Sequence, residues 1–189
     1  MKESVRCDFQ FNTLDSPELT AMLDEARRFI WSMYTRACEP YWLTLLGRSG
    51  IGKTHLAMKT QSWYNRVGRF YKDKYHGVVM QHDGMYADWR SVVDLLREGR
   101  HDMTSTLYEA WFAVIDDIGS EYDPSGFAAD RLSHVLNKRV GKWTIITGNL
   151  DVRQISERID PRVASRLLRG GNTVVSVKDC KDYSLTSNK

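Results

Sequence analysis

The sequence predicts an α/β fold in which parallel strands are joined by crossover helices. Three observations carry that prediction. Five short apolar runs are spread along the chain, longer stretches of helical periodicity lie between them, and the first run leads directly into a glycine-rich turn followed by a helical pattern. The strand candidates are Tyr41–Leu46, Val78–Gln81, Trp111–Ile115, Thr144–Thr147 and Thr173–Val177. Helices are expected over Pro17–Met33, Lys53–Arg66, Ala87–Arg97, Phe127–Val140 and Val152–Ile159, with a short one near Pro161–Leu168. The Phe127 segment shows the pattern plainly. Ala128, Leu132, Val135 and Leu136 recur at spacings of three and four while Asp130, Arg131 and Lys138 face away, so one face should pack on the sheet.

Composition narrows the class. At 189 residues, 42% hydrophobic and 27% charged with only 4 Pro, the chain is one ordinary globular domain able to bury a core. The net charge, 27 − 24 = +3, does not by itself announce nucleic acid. No apolar run approaches the roughly 20 residues that cross a bilayer, and Met1-Lys2-Glu3-Ser4 lacks the apolar stretch of a signal peptide, so the expected location is cytoplasmic, with no membrane partner. Cys7, Cys38 and Cys180 are an odd count without paired spacing, which indicates neither a disulfide framework nor a zinc site. Two segments are locally basic: Lys59 to Lys74, and Arg153 to Arg169.

The strongest motif is Gly47-Arg48-Ser49-Gly50-Ile51-Gly52-Lys53-Thr54, a full match to the phosphate-loop pattern G-x-x-x-x-G-K-[ST]. Glycines let backbone N–H groups curl around phosphate oxygens, and the N-terminus of the following helix, from Lys53 through His55, adds its positive end. Lys53 is expected to reach the β- and γ-phosphates of ATP and Thr54 to offer its hydroxyl to Mg²⁺. Gly47, Ser49, Gly50, Ile51, Gly52 and His55 complete the expected nucleotide-binding set.

A phosphate loop needs an acid on a neighbouring strand end, and Trp111-Phe112-Ala113-Val114-Ile115-Asp116-Asp117 supplies two. Consecutive side chains at a strand end point in different directions, so the two carboxylates can do separate jobs. Asp116 suits the metal and Asp117 the attacking water, with Glu121 as the rival for the water. A third strand ends in Thr147-Gly148-Asn149. There Asn149 can bond the water or the γ-phosphate if this strand lies between the other two.

With these residues in place, the chain resembles an AAA+ ATPase, and more narrowly the DnaC-type replicative helicase loaders and their IstB-type transposition relatives. Phe9-Gln10-Phe11-Asn12-Thr13-Leu14 is similar to the family's Phe-rich lead-in, where the adenine pocket is expected. Gly47 to Ala57, Val114 to Glu121 and Ile145 to Leu150 are similar to its three strand-end motifs, with Gly148 replacing a small hydroxyl residue. Ile159 to Leu168 resembles the segment ending in S-R-L.

The resemblance implies a three-layer P-loop NTPase core with a five-stranded parallel sheet in the order 5-1-4-3-2, without a full C-terminal helical lid. Residues 1–40 are then a lead-in segment and helix, 41–178 the ATPase core and 179–189 a short polar tail. It also implies head-to-tail self-association into a ring or helical filament, an arginine of one subunit completing the ATP site of the next. Arg166 matches that position, and Arg162, one helical turn away, supports it. Partners implied are a replicative helicase and single-stranded DNA, or a transposase on duplex DNA for an IstB-like protein.

Two patches are candidates for DNA. Trp63, Tyr64, Phe70, Tyr71 and Tyr75 are interleaved with Lys59, Arg66, Arg69, Lys72 and Lys74, a pattern that equally suits aromatics packing a helix end onto the sheet. The resemblance implies DNA along the inner surface of the assembly, where the helix after the second strand contributes, and Arg90, Arg97 and Arg100 are the candidates there. From another class, a small-molecule kinase uses the same loop, but it needs a substrate pocket and an arginine-bearing lid that no segment here suggests.

Overall fold

The computed structural model describes residues 16–68 and 83–178. The chain begins with α1 (Pro17–Thr35), whose start is fixed by the Ser16 side chain accepting the Leu19 N–H at 3.3 Å and by Pro17 in the first turn. It continues through β1 (Trp42–Gly47), α2 (Lys53–Gly68), β2 (Met85–Asp88), α3 (Trp89–Arg97) and α4 (Asp102–Glu109). Then follow β3 (Phe112–Ile118), α5 (Phe127–Lys138), β4 (Trp143–Gly148), α6 (Val152–Arg158), α7 (Pro161–Leu167) and β5 (Thr173–Val177).

The five strands form one parallel sheet in the order β2-β3-β4-β1-β5, the expected order read from the other edge. Strand alternation sends successive side chains to opposite faces. Leu43 and Leu45 of β1 and Phe112 and Val114 of β3 join Leu23, Phe29 and Ile30 of α1 and Leu56 and Trp63 of α2 in one buried cluster. Trp42, Leu46, Ala113, Ile115 and Ile146 face the other way, onto Val92, Val93 and Leu96 of α3, Leu132 and Leu136 of α5, and Val163 and Leu167 of α7. The result is the expected three-layer α/β sandwich.

Three details differ from the sequence expectation. The strand beside β3 is Met85–Asp88, and the Val78–Gln81 run lies outside the described residues. The third helix starts at Trp89 rather than Ala87, because Ala87 and Asp88 end β2 and the Asp88 carboxylate then caps the helix by accepting the Ser91 N–H at 3.1 Å. An additional helix, α4, precedes β3. It is tied to the sheet by Arg139, which is 0% exposed and donates to the carbonyls of Leu107, Ala110 and Trp143 and to the Thr144 hydroxyl. Burial lowers the Arg139 pKa to about 10, leaving it charged at neutral pH.

The aromatic and basic segment divides. Trp63 is buried and Tyr64 packs on Phe112 with ring centroids 5.1 Å apart, so these two are core residues rather than exposed stacking platforms. Lys59 and Arg66 are exposed, and Arg69, Phe70, Tyr71, Lys72, Lys74 and Tyr75 lie outside the described residues. So do the Phe9–Leu14 segment, Cys7 and Cys180, whereas Cys38 is a free, exposed thiol. Among the described residues no helix is long and apolar enough to cross a membrane.

Candidate functional site

In a parallel sheet all strands end on the same edge, and the order β3-β4-β1 brings three of those ends side by side. The loop after β1, the acids ending β3 and the residue after β4 therefore converge. The loop is shaped by its glycines. At Gly47, φ is 142° and an added Cβ would lie 2.3 Å from the Val177 carbonyl oxygen of β5, which only glycine accommodates. Gly50 and Gly52 also have positive φ, 81° and 89°. Between them Ile51 is buried in the α1–α2 cluster and anchors the loop, while Arg48, Ser49 and His55 are exposed around it.

Lys53, the first residue of α2, is buried and spreads its ammonium over three oxygens: Gly47 O at 2.8 Å, Arg48 O at 2.7 Å and Asn149 Oδ1 at 3.0 Å. Burial lowers its pKa from the ordinary value, while the carboxylates of Asp117 and Asp116 pull the other way. Asn149 turns its other end to Asp117, donating from Nδ2 to Oδ1 at 2.7 Å.

The two aspartates face different partners. Asp116 is buried and its carboxylate accepts three hydroxyls: Thr54 at 3.0 Å and Thr147 at 2.5 Å on Oδ1, and Tyr86 at 2.7 Å on Oδ2. Asp117 is only half-buried and adopts a left-handed backbone, φ 58°, with its N–H donating to the Thr147 hydroxyl at 2.9 Å. That turn interrupts the pairing of β3 with β4, which resumes between Ile118 and Gly148, and points the Asp117 carboxylate at Asn149.

Glu121, the rival acid, is committed elsewhere. It accepts the Gly119 N–H at 2.8 Å and the Trp89 indole N–H at 3.1 Å, and burial raises its pKa. One of its oxygens serves the turn after β3 and the other ties that turn to α3, while Asp117 is the carboxylate bonded to Asn149.

Thr54 and Asp116 offer a hydroxyl and a carboxylate 3.0 Å apart. These hard oxygen donors fit Mg²⁺, which takes one or two protein ligands and completes its shell with water and substrate phosphates. Among the described residues no group of three or more His, Cys, Asp and Glu side chains is placed to hold a metal without such help.

Tyr86 and Thr147 are site residues that sequence reasoning missed. Thr147 lies within the strand-end motif, one residue ahead of Gly148. Tyr86 was hidden because its strand was expected earlier in the chain, yet the dipeptide Ala87-Asp88 ahead of Trp89 carries a helix-cap signal that would have placed the strand before it. Burial and the bond to Asp116 raise the Tyr86 pKa, so its hydroxyl keeps the proton it donates.

Arg162 and Arg166 are both on α7, and neither shares a hydrogen bond with Lys53, Thr54, Asp116, Asp117 or Asn149 of the same chain. Arg162 is exposed and lies 3.9 Å from Asp160. Arg166 is half-buried and donates to the Ser133 hydroxyl of α5 at 2.8 Å. Arg90 and Arg97 on α3 and Arg100 just beyond it are all exposed, and Arg97 donates to the Tyr122 carbonyl at 2.8 Å.

The sheet order, with the glycine-rich loop after β1, gives the chain the fold of a P-loop NTPase core as AAA+ proteins have it. No protein-family model matches the chain, and no curated protein sequence matches it. Among solved structures it is similar to a crystal structure of the DnaC helicase loader, at 24% identity and TM-score 0.61, over 82% of this chain and 89% of that one. It is similar also to a crystal structure of DnaI, at 20% identity and TM-score 0.57, over 81% and 83% of the two chains. A third is the replication initiator DnaA bound to AMPPCP and single-stranded DNA, at 14% identity and TM-score 0.61, over 84% of this chain and 47% of that one. At these identities the likeness is one of fold.

Proposed function

We propose that this chain is a Mg²⁺-dependent ATPase of the AAA+ kind that works as a replicative helicase loader does, assembling head to tail with ATP at each subunit boundary. The observation that carries this reading is the bridge from Lys53 through Asn149 to Asp117, set beside the Thr54–Asp116 pair. Those groups divide the work of phosphoryl transfer to water. The loop amides and Lys53 take the phosphates, Lys53 exchanging carbonyl contacts for phosphate oxygens. Thr54 and Asp116 hold Mg²⁺, which neutralises charge on the β- and γ-phosphates when bound. Asp117 orients the attacking water and accepts its proton, and Asn149 fixes Asp117 against Lys53.

Electrostatic stabilisation on the side of the γ-phosphate facing away from the loop then falls to Arg166 of a neighbouring copy. Its position supports a contact in trans, since α7 contributes nothing to the hydrogen-bonded site of its own chain. The switch between assembled and dissociated states is the output: ATP favours association by adding the arginine contact, and hydrolysis removes it. The likeness to a DnaA structure holding AMPPCP and single-stranded DNA supports ATP as nucleotide and single-stranded DNA as a partner, with Arg90 and Arg100 available on the surface of and beyond α3. Likeness to DnaC supports a replicative helicase over a transposase as the protein partner.

The test is phosphate release from Mg-ATP at increasing protein concentration. Turnover per molecule is expected to rise with concentration, and Arg166→Ala to abolish the rise. Turnover per molecule that stays constant with concentration, and is unchanged in Arg166→Ala, would contradict the shared site.

A further inference from the structure

Of the six residues that α5 buries, Ala128, Ala129, Leu132, Val135 and Leu136 are apolar and Ser133 is the single polar one. Its hydroxyl, on a residue 7% exposed, receives the Arg166 guanidinium at 2.8 Å. The backbone of Arg166 is held as well. Its carbonyl accepts the Asn172 side-chain N–H at 2.9 Å, and Asn172 Oδ1 in turn accepts the Trp42 N–H at 2.8 Å at the start of β1. Arg166 is thus tied at both ends of its side chain to rigid elements. Arg162, one turn earlier, is 78% exposed along its side chain and has only the Asp160 carboxylate at 3.9 Å.

The chemistry of the tie matters. A carboxylate partner would neutralise the guanidinium and compete with any anion for it. A serine hydroxyl accepts one N–H and leaves the charge and the remaining donors of the fork intact. Among the described residues Arg166 has no ion pair. Fixing a long, rotamer-rich side chain before its anion arrives removes part of the ordering cost from the later encounter.

We infer that Ser133 is a positioning residue for Arg166: it holds the guanidinium against the α5 face, ready for a phosphate group presented by a second copy of this chain. The inference rests on the proposed role of Arg166 in trans.

It is tested with full-length Ser133→Ala, Arg166→Ala and the double variant, assayed for phosphate release at saturating protein concentration across ATP concentrations. Ser133→Ala is expected to lower kcat about tenfold with the KM for ATP unchanged, and to cause no further loss in the Arg166→Ala background. Parental kcat in Ser133→Ala, or an equal loss with Arg166 already removed, would overturn it. The two levels separate cleanly. An active Arg166→Ala overturns both the arginine assignment and this inference, whereas an inactive Arg166→Ala with an unaffected Ser133→Ala overturns the positioning role alone.

Discussion

Asn149 accepts the Lys53 ammonium at 3.0 Å on its oxygen while its nitrogen donates to Asp117 at 2.7 Å. Only this orientation of the amide satisfies a cation on one side and a carboxylate on the other. One neutral side chain therefore separates Lys53 from the acid proposed to act on water, and keeps the two from closing into an ion pair. Asn149→Ala should lower single-turnover phosphate release roughly a hundredfold, the scale of losing one preorganised donor. Nucleotide affinity, read by titration with a fluorescent ATP analogue, should change less than about threefold. Asn149→Asp should be worse in turnover, since it sets a second carboxylate against Asp117.

The Tyr86 hydroxyl holds the Asp116 oxygen that the two threonines leave free. Partners that orient a metal-binding carboxylate commonly matter about as much as ~10-fold in metal affinity. Tyr86→Phe is expected to raise by about that factor the Mg²⁺ concentration giving half-maximal turnover, with turnover at saturating Mg²⁺ largely recovered. An unchanged Mg²⁺ titration would show that Thr54 and Thr147 suffice to orient Asp116.

Glu121 supplies a pH dependence whose sign can be worked out. Burial raises its pKa in the fold above the ordinary 4.5, so between that value and the raised one the native state binds more protons than the unfolded chain. The contribution of this group to stability is then full below 4.5 and declines as pH rises through the raised value. Glu121→Gln removes the slope. Urea unfolding midpoints of the parent and the variant, compared from pH 4.5 upward, check it. Parallel curves would contradict it.

Much of this arrangement was legible in the sequence. Continuous apolar runs marked β1, β3 and β4 because those strands are central and covered on both faces, and each ended in the residues proposed to do the chemistry. The edge strand β2 was misplaced. It is four residues long, pairs among the described residues only with β3 and fully buries Ala87 alone, while Tyr86 is only partly buried against the α1–α2 cluster and gives its hydroxyl to Asp116. A four-residue strand of that kind leaves little periodic signal, weaker than that of the apolar Val78–Gln81 run ahead of it. The helix α4 was invisible for a related reason: of Asp102–Glu109 only Thr104 and Leu107 are buried, and its composition of Thr and Ser favours no helix locally. What fixes it is Arg139, thirty residues on, whose donors reach its last turn.

Arg139 is accordingly a tertiary contact with a large expected stability effect. Replacing it by Ala leaves the Leu107, Ala110 and Trp143 carbonyls without this donor and opens a cavity. The combined cost should be about 3–5 kcal/mol in urea unfolding, with Arg139→Lys recovering part of it. A loss below about 1 kcal/mol would mean that α4 is held by its apolar contacts instead.

The claim of a shared ATP site is tested most directly by mixing two inactive proteins. Asp117→Asn keeps the oxygen that accepts from Asn149 but loses the acid, and Arg166→Ala keeps the acid but lacks the arginine. Each alone should release little phosphate. Combined at high concentration, the intact Arg166 of one protein meets the intact Asp117 of the other, and turnover should return to a sizeable fraction of the parental rate. A mixture no more active than its separate components would contradict the account.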